Sequence, residues 1–112
     1  MGKAIRTIDT NFFIEEVIHH LDTNKHQIGW EQFEHCNAYL GDTQCIPDET
    51  GEVHKIMPIK SYNTIVGYID FYDDICYEYG KYSRTTSCQV TRIASDYGMG
   101  KVYVDVSTAG RW

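Results

Sequence analysis

Residues 60–80 read KSYNTIVGYIDFYDDICYEYG, and the folding of this stretch decides how the rest of the chain is read. β-Branched and aromatic residues dominate SYNTIVGYIDF, the composition that a pleated, half-buried surface prefers. Alternation puts Tyr62, Thr64, Val66 and Tyr68 on one face and Ile65, Ile69 and Phe71 on the other. YDD at 72–74 makes a short turn, and ICYEYG returns with Ile75, Tyr77 and Tyr79 on one side. The pattern predicts a β-hairpin.

Toward the C-terminus, EYGKYSRTTSCQV (78–90) leads into a helix carried by Val90, Ile93, Ala94 and Tyr97 and closed by Gly98. Thr86-x-x-Gln89 fits a capping box, with Thr85 or Ser83 as the alternative cap. Capping uses only one or two hydroxyls. Lys81, Ser83, Arg84, Thr85, Thr86 and Ser87 therefore exceed what a helix start requires. Free N–H groups and the helix dipole would make the place receptive to an anion, and the same residues could instead face a protein partner. A phosphate-binding P-loop is excluded, because Ile75 stands where its first glycine belongs and Tyr82 follows the lysine in place of Ser or Thr. KVYVDV (101–106) then alternates as a last strand.

Toward the N-terminus, NFFIEEVIHHL (11–21) carries an apolar stripe at helical spacing, and GWEQFEHCNAYLG (29–41) suggests a second helix through Trp30, Phe33 and Leu40. GDTQCIPDETGE (41–52) reads as a long loop. VHKIMPI (53–59) reads as an edge strand, because Pro58 removes a ladder donor. The expected fold is α+β, with two N-terminal helices, a β-hairpin, a third helix and a C-terminal strand in a small antiparallel sheet. One domain would span 1–112, an acidic helical part at 1–52 followed by a ββαβ module at 53–112.

The net charge is −6 over 112 residues, and residues 1–60 hold ten acids against five bases. Such a field does not attract duplex DNA or an anionic membrane, but it suits a basic surface on another protein. No apolar run approaches the roughly 20 residues of a membrane span, and MGKAIRTIDTNFF contains no secretory core. A cytoplasmic setting is expected, with Cys36, Cys45, Cys76 and Cys88 reduced and buried as small hydrophobes. His35 beside Cys36, with His19 and His20, offers no metal-site spacing, so neither metal nor cofactor is expected. No triad order or nucleophile elbow organises the His, Cys and acidic residues, and the expectation is a protein without catalytic activity. Exposed tyrosines on a sheet can stack bases, yet Asp70, Asp73, Asp74 and Glu78 border this stripe and argue against a nucleic-acid strand.

The hairpin and the helix after it resemble a small module in proteins of bacteriophages and mobile elements of Firmicutes. The shared pattern falls on Tyr62, Thr64, Val66, Gly80, Tyr82, Ser83, Thr85, Thr86 and Ser87, and the resemblance covers about residues 60–97. Cys88-Gln89-Val90 departs from it where a more polar pair is expected. The resemblance implies a phage inhibitor that binds a bacterial defence protein, such as a CRISPR effector, in the host cytoplasm. Its expected contacts are Asp42, Asp48, Glu49 and Glu52 in the acidic loop, together with Tyr62, Tyr68, Tyr82 and Arg84. The alternative is a protein that captures a nucleotide signal at the helix start, residues 81–87.

Overall fold

The computed structural model describes residues 6–80 and 83–106. In chain order they form β1 (Thr7–Asp9), α1 (Phe12–Thr23), a single 3-10 turn (Lys25–Gln27), β2 (Trp30–Gln32), β3 (Ala38–Gly41) and β4 (Gln44–Pro47). β5 (Val53–Ser61), β6 (Thr64–Asp70), β7 (Ile75–Tyr79), α2 (Arg84–Asp96) and β8 (Gly100–Asp105) follow. The class is α+β, as expected, but among the described residues eight strands share one mixed sheet and two α-helices are present.

The strand order is β1-β8-β7-β6-β5-β3-β2, with β4 also paired to β5. β5 and β6 run antiparallel to all their neighbours, whereas β8 lies parallel to β7 and β1 parallel to β8. The expected all-antiparallel sheet is therefore corrected. α2 lies between β7 and β8 in the chain, and a helical crossover returns the next strand in the same direction.

Each face of the sheet carries one helix. α1 turns Ile14, Val17, Ile18 and Leu21 onto Ile56, Ile65, Tyr68, Tyr77, Val102 and Val104. α2 turns Val90, Ile93 and Ala94 onto Met57, Ile59, Val66, Ile69 and Cys76 on the opposite face. Both helices begin at side-chain caps: Asn11 Oδ1 accepts from the Ile14 N–H at 2.8 Å, and Ser83 Oγ from the Thr86 N–H at 3.2 Å. Ser83 is thus the N-cap of α2, and Thr86 lies buried one turn inside the helix.

Three sequence expectations are corrected. The stretch at 29–41 is a hairpin, not a second helix: β2 pairs with β3, and β3 pairs with the C-terminal part of β5. Its aromatic residues serve the sheet, since the Lys60 ammonium sits 4.5 Å from the Trp30 ring and 5.3 Å from that of Tyr39. Glu34 takes the left-handed conformation at the turn (φ 53°), which no helix allows. The loop at 41–52 contains β4, which pairs with Val53–Ile56, and so β5 is interior rather than an edge. Pro58 falls between the segment paired with β4 and the segment paired with β3, a break where a residue without an N–H is tolerated.

The third correction concerns the faces of β6. Register shifts between Ile59 and Lys60, and the partner passes from Gly67 to Ile65. The extra residue makes a β-bulge that reverses the alternation. Val66 therefore faces α2 with Ile69, while Ile65 faces α1 with Tyr68. Gly67 is required there, because a Cβ would come within 2.2 Å of the Tyr77 carbonyl oxygen.

Under α2 the sheet buries an ion pair. Lys101 Nζ lies 2.7 Å from Glu78 Oε1 and also donates to Thr91 Oγ1 (2.8 Å) and the Ser87 carbonyl (3.2 Å). Ser87 Oγ donates to the other Glu78 oxygen at 2.8 Å. The pair joins β7, β8 and α2. Lys101→Met should cost about 3–5 kcal/mol in urea denaturation, because it leaves Glu78 charged and unpaired in the interior. Adding Glu78→Leu should recover most of that loss. An equal loss in the double variant would show that the buried charge is not the cause.

Candidate functional site

β5 alternates VHKI, and His54 is in phase with buried Ile56. That phase carries a polar ring into the α1 face, where it is only 4% exposed. A buried imidazole needs partners on both nitrogens, and here both are carboxylates. Nδ1 lies 2.7 Å from Asp70 Oδ2, and Nε2 lies 2.8 Å from Asp48 Oδ2. Neutral imidazole has one donor, and an ionised carboxylate only accepts. The arrangement is satisfied when His54 is imidazolium between two carboxylates. Burial opposes that charge, but the hydrogen bonds to Asp48 and Asp70 and the field of Asp73 outweigh it and raise the His54 pKa above its ordinary value.

Each partner is fixed by its own segment. Asp70 ends β6, and its Oδ1 accepts from the N–H groups of Tyr72 (2.9 Å) and Asp73 (3.3 Å) in the β6–β7 turn. Asp48 begins the turn after β4. Its Oδ1 accepts from the Thr50 N–H, the Thr50 hydroxyl and the Glu52 N–H at 2.8, 2.7 and 3.1 Å, and Gly51 supplies the left-handed residue (φ 89°). The Thr50 hydroxyl and then His54 hold the Asp48 carboxyl well below the usual carboxylate range. Far from being a loose loop, residues 48–52 are a turn organised by one carboxylate.

The His54 ring lies between Phe13 of α1 and Tyr72, with centroids 4.4 and 4.3 Å away. Beside it opens a cleft of about 440 Å³ lined by Phe12, Asp48, Glu49, His54, Tyr72 and Asp73, among others. Phe12 and Tyr72 are 63% and 53% exposed, unusual for large rings. Glu52 adds its carboxylate to the Tyr72 hydroxyl at 3.4 Å. Asp73 accepts from the Tyr77 hydroxyl at 3.4 Å. Partial burial, then the neighbouring Asp70 carboxylate, raise the Asp73 pKa. Burial and the same carboxylates push the Tyr77 phenol up to about 12. The cleft is acidic at its floor and aromatic at its rim.

The residues expected from sequence are dispersed. Asp48 and Glu49 line this cleft, and Glu52 reaches its rim through the Tyr72 hydroxyl. Asp42 does not line it; its Oδ2 accepts from the Gly29 N–H at 3.1 Å. Tyr68 is fully buried, with its ring beside Tyr77 and Tyr79, and offers a partner no surface. Tyr62 is exposed at the β5–β6 turn in a left-handed conformation (φ 56°), where it borders a shallow hollow with Ser61 and Thr86 near the start of α2. Arg84 and Thr85 are exposed there. Ser83, Thr86 and Ser87 use their hydroxyls as the cap, in contacts among Ser61, Ser83 and Thr86, and on Glu78. Lys81 and Tyr82 lie outside the described residues.

All four cysteines are free, but only Cys76 is buried, which raises its thiol to about 12; Cys45 and Cys88 are exposed. The sequence reading missed His54, Tyr72 and Asp73. The phase of His54 with Ile56 was the available signal. Among the described residues no helix is long and apolar enough to cross a membrane. Comparison with protein-family models, curated proteins and solved structures finds no match.

The His54 cluster predicts a pH profile. A raised histidine pKa stabilises the fold fully below the unfolded value and loses that contribution as pH rises through the folded value; the depressed Asp48 pKa acts in the opposite direction on the acid side. Thermal unfolding of wild type relative to His54→Gln should show its largest advantage between about pH 4.5 and 6. The advantage should shrink toward higher pH. A constant advantage from pH 5 to 9 would mean that the carboxylates do not hold an imidazolium.

Proposed function

We propose that the protein is a non-enzymatic inhibitor that binds a basic surface on another protein through the cleft between α1, the 48–52 turn and the β6–β7 turn. One observation carries this reading: exposed Phe12 and Tyr72 stand beside Asp48, Glu49, Glu52 and Asp73 on preorganised backbone. Aromatic residues supply large contact area, and they dominate interface hot spots. Carboxylates around them favour a lysine or arginine of the partner and speed encounter through long-range attraction. The turn is already ordered by Asp48, so little chain entropy is lost on docking.

The likeness of residues 60–97 to a phage module makes a bacterial defence protein the class of partner to test first. The nucleic-acid channel of a CRISPR effector has the required basic character. On this reading the alternative nucleotide site at the start of α2 is less favoured, since Ser87 is turned inward to the Glu78 carboxylate.

Purified protein should inhibit DNA cleavage by a CRISPR effector from such a host, and inhibition should weaken as salt rises. Tyr72→Ala and Glu49→Lys should each raise the inhibitor concentration required, with Tyr72→Ala worth ~2 kcal/mol, or roughly 30-fold. Inhibition by both variants equal to wild type would move the contact surface elsewhere. Absence of inhibition across a panel of effectors would remove that partner class.

A further inference from the structure

At and beneath the floor of the cleft one imidazole and two carboxylates come together. The ligand atoms of His54, Asp70 and Asp73 all lie within 4.8 Å of one another. We propose that these three side chains form a binding site for a first-row divalent transition metal such as Zn²⁺ or Mn²⁺, with Asp48 as its outer-shell support.

The hydrogen bonding around His54 has the pattern that a metal-binding imidazole needs. A ligating histidine generally donates its other ring N–H to a carboxylate, which fixes the tautomer and orients the lone pair. Nε2 faces Asp48 at 2.8 Å, and Asp48 is itself tied by Thr50 and Glu52. With the proton kept there, the Nδ1 lone pair points to Asp70. Asp70 is also pre-aimed: its Oδ1 is held by two backbone N–H groups, leaving Oδ2 for the site.

The geometry needs only a small change. In a tetrahedral shell, metal–nitrogen and metal–oxygen bonds of about 2.0–2.2 Å separate neighbouring ligand atoms by roughly 3.3–3.6 Å. The His54–Asp70 contact of 2.7 Å would open by somewhat more than half an ångström. Asp73 sits on an exposed turn, where its carboxylate accepts a long hydrogen bond from Tyr77 and already lies against Asp70, so it can swing in. His54 and Asp73 both line the cleft, which gives the ion an entry path and leaves positions for water.

Charge favours the exchange. Asp48, Asp70 and Asp73 place three carboxylates around one imidazolium. Replacing the Nδ1 proton by a divalent ion releases that proton to solvent and leaves three negative charges against two positive ones. One imidazole with two carboxylates suits Zn²⁺ or Mn²⁺ better than Ca²⁺ or Mg²⁺, which favour all-oxygen shells.

This inference does not depend on the proposed partner, because the isolated protein suffices to test it. Tag-free protein stripped with EDTA and exchanged into chelator-free buffer is titrated calorimetrically with ZnCl₂, MnCl₂ and MgCl₂. Expected are one site per chain for Zn²⁺ or Mn²⁺, weaker Mg²⁺ binding, and proton release seen as heats that vary with the buffer. Asp73→Asn leaves the buried His54–Asp70 contact in place and should weaken binding by at least ~10-fold, since even outer-shell losses cost about 10–100-fold. Folding of that variant is checked by its thermal unfolding. No binding at 1 mM of either metal overturns the proposal. Zn²⁺ binding that Asp73→Asn leaves unchanged overturns it too, and places the ion on surface groups such as His19 and His20 or His35 and Cys36.

Discussion

A buried carboxylate must be answered, and this sheet buries one on each face. Asp70 of β6 points toward α1 and Glu78 of β7 toward α2, at 1% and 0% exposure. Neither charge is tolerable in the interior without a cation and a full set of hydrogen bonds. Lys101 and Ser87 answer Glu78, and that need draws β8 and α2 onto β7. His54 answers Asp70, and that need draws the start of β5 to the end of β6. Two polar contacts thus add register to a core whose apolar residues alone would accept several arrangements.

The answer to Asp70 is also what builds the cleft. An imidazole has two nitrogens, so satisfying the first leaves a second, and Asp48 takes it. Asp48 can do this only because its other oxygen gathers the turn at 50–52. Phe13 and Tyr72 then cover the ring from either side, and the neighbouring Phe12 is left at the surface with Tyr72 and Asp73. A structural requirement at one buried carboxylate ends as an acidic, aromatic rim facing solvent. The same carboxylates that hold a proton between them have the donor set to hold a metal ion.

The legible parts of the fold were those whose pattern is local. α1 and α2 were visible because a 3.6-residue stripe must face a core whatever its neighbours are, and the β6–β7 hairpin because turn and alternation lie within twenty residues. Residues 29–41 failed that test. Trp30, Phe33 and Leu40 fit a helical stripe, but the edge of β5 offered strand pairing and Lys60 offered a cation for Trp30 and Tyr39. The faces of β6 failed for another reason. One bulge at Val66 reverses the alternation, and no reading by period two can include a residue that breaks the period. Tyr68 consequently passed from expected contact to buried core.

By itself, the sequence determined an α+β chain, the two amphipathic helices, the hairpin at 64–79, the last strand and an excess of acid in the first sixty residues. These follow from composition and spacing, which act along the chain. Only the tertiary structure decided the parallel pairing of β8, the strand character of 29–47, the inward turn of Ser87 and the meeting of residues 13, 48, 54, 70, 72 and 73. That meeting joins a helix, two strands and two turns whose separations carry no common period. The desolvation of Asp70, which exists only once the sheet has closed over it, is the force that makes His54 and Asp48 belong to one site.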